Sequence, residues 1–233
     1  MIVMPSVALP QPSRRAFEKM AADGRRVLGG RFVALAAYTA ADAALFGERI
    51  TGEDLEAFGP LAEAWHHDGL NTPLVITPDE FRRSLDTFPI EYQAILDDHV
   101  IIAGTSPFGD ARVQAADLRR ACEIQAKSHL IHLRQGWIEA GGRHDKLAGL
   151  AARSAAPLRA ILTELLRLND LDAPNADALA DAAARLAGIP ADLVREVVRL
   201  DGSREAALAF VPRMPAYLDA CERLWAYIDR ARG

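Results

Sequence analysis

A change of pattern near Pro107 divides this sequence into two parts that have to fold differently. Before it, short apolar runs bounded by glycine or proline alternate with stretches of helical periodicity, which is typical of a layer of strands and helices. From Val113 onward the apolar residues recur at helical spacing, and no run indicates a strand. The sequence therefore predicts an α+β chain in two domains, an α/β layer over residues 1–110 and an all-α helical bundle over residues 111–233.

Apolar runs and capping residues give the predicted elements. The expected strands cover residues 31–38, 43–46, 73–77, 88–96 and 100–103. Helices are expected to begin at the capping residues Ser13, Thr51 and Thr77, after an extended arm at residues 1–12. Further helices are predicted over residues 143–169, 175–187, 190–200 and 204–231.

Composition narrows the classes of partner and compartment. The chain has 233 residues, 50% of them hydrophobic, and its formal net charge of −5 gives no field that would attract nucleic acid or an anionic membrane. The longest apolar run, residues 32–46, is interrupted by polar residues and is too short to span a bilayer. The first residues, MIVMPSVALPQPSRR, place arginine after the apolar residues, which is the reverse of a secretory signal. We therefore expect a cytoplasmic protein in which Cys122 and Cys221 are buried thiols.

Four short segments resemble one bacterial family. They are PLVIT at 73–77, FPIEY at 88–92, LRRACE at 118–123 and the Leu-Arg pair at 133–134. Together they are similar to proteins that join a polymerase-β-like nucleotidyltransferase domain to a C-terminal helical domain, the architecture of the aminoglycoside nucleotidyltransferases. The resemblance implies a small mixed sheet in the first domain and a helical bundle in the second.

The resemblance also implies a catalytic site, of which the sequence keeps only part. In the family a Gly-Ser turn at a helix start binds the triphosphate, and an Asp-x-Asp pair with a third carboxylate holds Mg²⁺. The turn should follow the run at 31–38, where this sequence has neither glycine nor serine. Asp42 matches the first residue of the pair, Ala44 stands at the second, and Glu91 matches the third carboxylate. The implied metal ligands are therefore Asp42 and Glu91, with Glu91 as the catalytic carboxylate.

Each candidate residue also has a structural interpretation. Asp42 also suits a turn or a cap beside Thr39, which is the interpretation we favour, and Glu91 suits a strand position facing solvent or an arginine. His129 and His132 lie at i and i+3 on one helix face and could share a metal. Two further sets could bind a cation or a phosphate, although solvated helix faces and ends explain them too: Asp97, Asp98 and His99, and the arginines at 82, 83, 119, 120 and 134.

These observations leave three hypotheses for function. The first is a degenerate nucleotidyltransferase-fold protein without efficient catalysis, which acts by binding a nucleotide, another small molecule or a protein. The second is an active nucleotidyltransferase that uses Mg²⁺ and a nucleoside triphosphate to modify a small acceptor such as an aminoglycoside. The third is a structural interaction protein that forms a homodimer through its helical bundle.

Overall fold

The computed structural model describes residues 9–200 and 203–230, and these form two compact units. The described residues up to Gln114 make up the first unit, which we call the sheet unit. Those from Ala115 onward make up the second, which we call the helical unit. Each unit has a hydrophobic core of its own, so each is described by itself.

Four strands form one mixed sheet in the sheet unit. They are β1 (Phe32–Ala37), β2 (Ala43–Gly47), β3 (Leu74–Ile76) and β4 (Val100–Gly104). The order across the sheet is β3-β2-β1-β4, with β1 antiparallel to both β2 and β4, and β2 parallel to β3. The prediction of a mixed sheet followed by an all-helical part is confirmed.

Five helices accompany the sheet. They are α1 (Gln11–Leu28), α2 (Gly52–Phe58), α3 (Ala62–His67), α4 (Pro78–Arg83) and α5 (Pro89–Asp97). The predicted caps Thr51 and Thr77 are confirmed, because each hydroxyl accepts a hydrogen bond from the backbone N–H three residues on. Phe17 of α1 packs with one face of the sheet, and an aromatic group built around Phe46 and Phe81 covers the other.

The structure corrects three predictions in this unit. The run at 88–96 was expected to be a strand, but it forms helix α5, because Pro89 occupies a first-turn position where its fixed φ and missing N–H are well tolerated. Helix α1 begins at Gln11 rather than after Ser13, and no side chain caps its N-terminal end. Residues 11 and 12 of the expected arm are therefore helical, and residues 1–8 lie outside the described chain. The sequence predicts one helix from Thr51 to about His67, but a 3₁₀ turn at Gly59–Leu61 divides it into α2 and α3.

The helical unit contains six helices within the described residues. They are α6 (Ala115–Ala140), α7 (His144–Arg167), α8 (Ala176–Ala187), α9 (Ala191–Val198), α10 (Arg204–Phe210) and α11 (Met214–Arg230). Helix α6 packs against both α7 and α11. The helix predicted over 204–231 is interrupted by a 3₁₀ turn at Val211–Arg213, which contains a proline. Across the described ranges, every helix is too short or too polar to cross a membrane.

Candidate functional site

Asp42 lies in the turn between β1 and β2, where its carboxylate holds the turn closed. The Thr39 hydroxyl donates to Asp42 Oδ2 at 2.6 Å, and Asn71 Nδ2 donates to Asp42 Oδ1 at 2.7 Å. The backbone N–H of Asn71 donates to the carbonyl of Ala41 at 2.9 Å, which fixes the same turn to the residues before β3. Residues 38–42, all of them described, contain no helical turn at the place where the family's phosphate-binding helix would begin.

Glu91 lies in the first turn of α5 and is exposed. It is therefore a helix residue, and the expectation that it sits on a strand is wrong. The residues that the structure describes contain no group of three or more His, Cys, Asp or Glu side chains that could hold a metal ion. Within the part of the chain that the structure describes, no third side chain of these types completes a metal site with Asp42 and Glu91.

The other predicted groups are mostly engaged in local contacts. His99 Nδ1 bonds to the carbonyl of Ile95 at 2.9 Å, and its ring lies 4.4 Å from that of Phe108. Arg134 forms an ion pair with Glu222 across α6 and α11, at 2.5 Å. Cys122 and Cys221 are free and buried as expected, and burial raises the pKa of each thiol to about 12.

A cleft of about 320 Å³ lies between α6 and α7 in the helical unit. Its apolar wall is formed by aliphatic and proline side chains, and its polar wall by two histidines, two serines, a glutamine and an arginine. The lining residues are Gln125, Ser128, His129, His132, Leu133, Leu150, Arg153, Ser154, Pro157 and Ile161.

A buried chain of hydrogen bonds forms the inner polar wall of this cleft. His129 of α6 bonds through Nε2 to the Tyr217 hydroxyl of α11 at 2.8 Å. The Tyr217 hydroxyl donates to Ser154 Oγ of α7 at 3.0 Å, and Ser154 donates to the carbonyl of Ala151 at 2.7 Å. Three helices are therefore joined by one polar chain, which we call the His129 chain.

The last acceptor of the His129 chain sets the direction of its hydrogen bonds. A carbonyl can only accept, so Ser154 uses its single proton on Ala151 and Tyr217 uses its own on Ser154. His129 must then donate from Nε2, which leaves Nδ1 as the ring nitrogen without a proton. Burial lowers the pKa of His129 to about 4, so the imidazole is neutral at pH 7.

Arg153 is the permanently charged side chain of the cleft. It makes no ion pair or hydrogen bond with any residue between 9 and 200 or between 203 and 230. A Cβ atom placed on Gly149, one turn earlier on α7, would lie 3.1 Å from Arg153 Nη1. The absence of a side chain at Gly149 therefore leaves room for the guanidinium to lie back along its own helix.

This arrangement suits binding better than nucleophilic chemistry. The Ser154 hydroxyl of the His129 chain donates to a backbone carbonyl, and burial raises the pKa of the Tyr217 phenol. The cleft thus offers one permanent cation, neutral donors and acceptors, and an apolar wall. Sequence reasoning found His129 and His132 but missed Ser154 and Tyr217, because the hydrogen bonds of the His129 chain join residues that are 63 and 88 positions apart in the sequence. It also missed Arg153, which belongs to no motif.

In comparisons with known proteins, no protein-family model, no curated protein and no solved structure matches this chain.

Proposed function

We propose that this protein acts by binding in the cytoplasm, and that it is a degenerate nucleotidyltransferase-fold protein without efficient transfer chemistry. The observation that carries the proposal is the engagement of Asp42, because both of its carboxylate oxygens accept hydrogen bonds that close the β1–β2 turn. A carboxylate used in this way is poorly placed to coordinate Mg²⁺, which demands near-ideal octahedral geometry.

Two further features support the proposal. The turn from Tyr38 to Asp42 offers no helix N-terminus that could bind a triphosphate. The mixed sheet, in which β1 and β2 are antiparallel and β3 is parallel to β2, agrees with the fold that the resemblance implies. Both features support descent from a transferase whose chemistry has been lost.

The test is calorimetric titration of the full chain with each nucleoside triphosphate, with and without Mg²⁺. We expect no magnesium-dependent binding, and no transfer to an aminoglycoside acceptor. Magnesium-dependent binding that is weakened by Asp42→Ala and by Glu91→Gln, but not by Glu56→Gln on the exposed face of α2, would overturn the proposal. That result would establish the active nucleotidyltransferase instead.

A second candidate function, self-association, is favoured by one feature of α6. Ile124, Ile131 and Ile138 are seven residues apart, so they share one face, and their exposed fractions are 62%, 41% and 79%. Ile131 lies midway between the other two, so a two-fold axis near it would bring Ile124 of one copy to Ile138 of a second. The occupant of this face that we propose is therefore a second copy of the chain.

Sedimentation over a range of concentrations tests the association. We expect a dimer that Ile131→Asp dissociates and that Leu208→Asp, a matched change at an exposed leucine of α10, leaves intact. A wild-type chain that sediments as a monomer at every concentration would refute self-association through α6.

A further inference from the structure

We infer that the cleft between α6 and α7 binds a small organic anion with an apolar body, and that Arg153 binds the anionic group. The inference deepens the proposed binding function and rests on it, because it assigns that function a site and a class of ligand. It uses the helical unit alone, so it requires nothing of the sheet unit or of the residues that match the nucleotidyltransferase family.

The size of the cleft limits the ligand. At about 320 Å³ it lies at the lower end of the range of small-molecule sites, which runs from about 300 to 1,000 Å³. It is therefore suited to a compact molecule rather than to a peptide or a nucleic acid strand. Leu133, Leu150, Pro157 and Ile161 give this molecule an apolar wall against which a hydrocarbon or aromatic body can pack.

The charge of the cleft selects the ligand's polar group. Among the described residues that line it there is no carboxylate, and its permanent cation is Arg153. Arg153 also borders a neighbouring depression that contains Glu139, Asp145 and Lys146, but it forms no ion pair with either acid in the described structure. A guanidinium without a carboxylate partner is a good binding group for the carboxylate, sulfonate or phosphate of a ligand, since it can donate two parallel hydrogen bonds.

The His129 chain determines which part of the ligand lies deepest. His129 and Ser154 line the inner wall, and the Nε2 proton of His129 and the hydroxyl proton of Ser154 are both donated within the chain. The inner wall consequently presents neutral groups, while the cation lies on exposed α7 surface at Arg153. We expect the neutral body to enter the cleft and the anion to remain near its mouth.

Gly149 is a positioning residue for this site. Glycine within a helix is unfavourable compared with alanine, so its presence in the second turn of α7 calls for a local reason. The 3.1 Å separation between a hypothetical Cβ and Arg153 Nη1 supplies one, because any side chain at this position would press on the guanidinium. Gly149→Ala should therefore displace the cation without breaking the helix.

Two fluorescent probes that differ in one charged group test the inference. The anionic probe is 8-anilinonaphthalene-1-sulfonate, and the neutral one is N-phenyl-1-naphthylamine, which has the same ring system without the sulfonate. Both are titrated into the full chain and into its variants, whose folding is checked by circular dichroism. We expect saturable binding of both probes, and we expect Ser128→Phe, which fills the cleft from α6, to weaken both.

Arg153→Gln should weaken binding of the anionic probe about tenfold and leave binding of the neutral probe unchanged, as expected for loss of a charge-assisted hydrogen bond. Gly149→Ala should weaken the anionic probe by a smaller factor. Arg185→Gln, which removes an exposed arginine of α8 away from the cleft, should change neither.

Three results would overturn the inference. They are the absence of saturable binding to the wild-type chain, equal affinity of the anionic probe for wild type and Arg153→Gln, and binding that Ser128→Phe does not affect. Magnesium-dependent nucleotide binding, by contrast, would contradict the proposed function and leave this probe result intact, so the two failures are distinguishable.

Discussion

The polar groups of the two units differ in what remains available after folding. In the sheet unit, both carboxylate oxygens of Asp42 accept hydrogen bonds, from Thr39 and Asn71, and these bonds stabilise the β1–β2 turn. In the helical unit, the His129 chain satisfies its own protons while Arg153, beside it, has no described partner. Both oxygens of a residue that matches a catalytic motif are thus engaged in a turn, whereas the cation that we propose as a binding group belongs to no motif.

The segments that resemble the nucleotidyltransferase family can be compared with the structure in the same way. The segments that carry the family resemblance include PLVIT and FPIEY, and these form β3 and the start of α5. Their buried residues Ile76 and Tyr92 belong to the aromatic core of the sheet unit. Packing alone therefore gives them a role, and the resemblance says more about the scaffold than about the site.

The largest effect that would sharpen this comparison is the pH dependence of the free energy of unfolding that His129 causes. Its pKa is about 4 in the folded chain and about 6.5 when unfolded, so the unfolded chain binds more protons between these values. The free energy of unfolding should therefore fall as the pH falls from about 6.5 to about 4, by roughly 3 kcal/mol in total. Urea unfolding of wild type and of His129→Gln across this pH range isolates the contribution of His129. The carboxylates titrate in both proteins, so their effect cancels in the difference. Parallel pH profiles would show that His129 is not a buried neutral imidazole.

A smaller loss is expected from Tyr217→Phe, which removes the middle of the His129 chain. The buried Nε2–H of His129 then loses its acceptor, and an unsatisfied buried donor costs about 1–3 kcal/mol. Tyr227→Phe on the same helix is the matched control, because that hydroxyl has no hydrogen bond to any residue in the described ranges. Equal midpoints of urea unfolding for the two variants would mean that the chain contributes nothing to stability.

The smallest effect should come from Asp42→Ala in the β1–β2 turn. Two partly exposed hydrogen bonds are lost, which we expect to lower the free energy of unfolding by about 1 kcal/mol. Asp42→Asn keeps an acceptor oxygen and should lose less. If Asp42→Ala left stability unchanged but abolished magnesium-dependent nucleotide binding, Asp42 would be a metal ligand and the comparison between the units would fail.

The elements were predictable where local chemistry decides them. The apolar runs before Gly47 and Gly104 became strands, and Thr51, Thr77 and Ser203 cap helices as their sequence neighbours indicate. The error at residues 88–96 arose because a short apolar run fits either a strand or a helix. Pro89 in the first turn and the burial of Ile90 and Ile95 both favour the helix. The pair Asp201-Gly202 indicates a turn with Ser203 as the cap that follows it; Ser203 does cap α10, and residues 201–202 lie outside the described residues.

The cleft could not be predicted in the same way. His129 and His132 were noticed because they are close in sequence, yet the partner of His129 is Tyr217, 88 positions away. Ser154 and Arg153 lie in an alanine-rich helix and belong to no motif. Only the packing of α6 against α7 and α11 brings these side chains together, and sequence spacing carries no information about it.

The two buried thiols can report how often the helical unit opens. Cys122 and Cys221 are the only cysteines of the chain, and both are buried in helices of the helical unit. A thiol reagent can modify them only when α6 or α11 opens, because neither sulfur is accessible in the closed bundle. The rate of alkylation therefore reports transient opening of the helical unit and is silent about the sheet unit. A ligand that occupies the cleft should slow that rate in proportion to its occupancy.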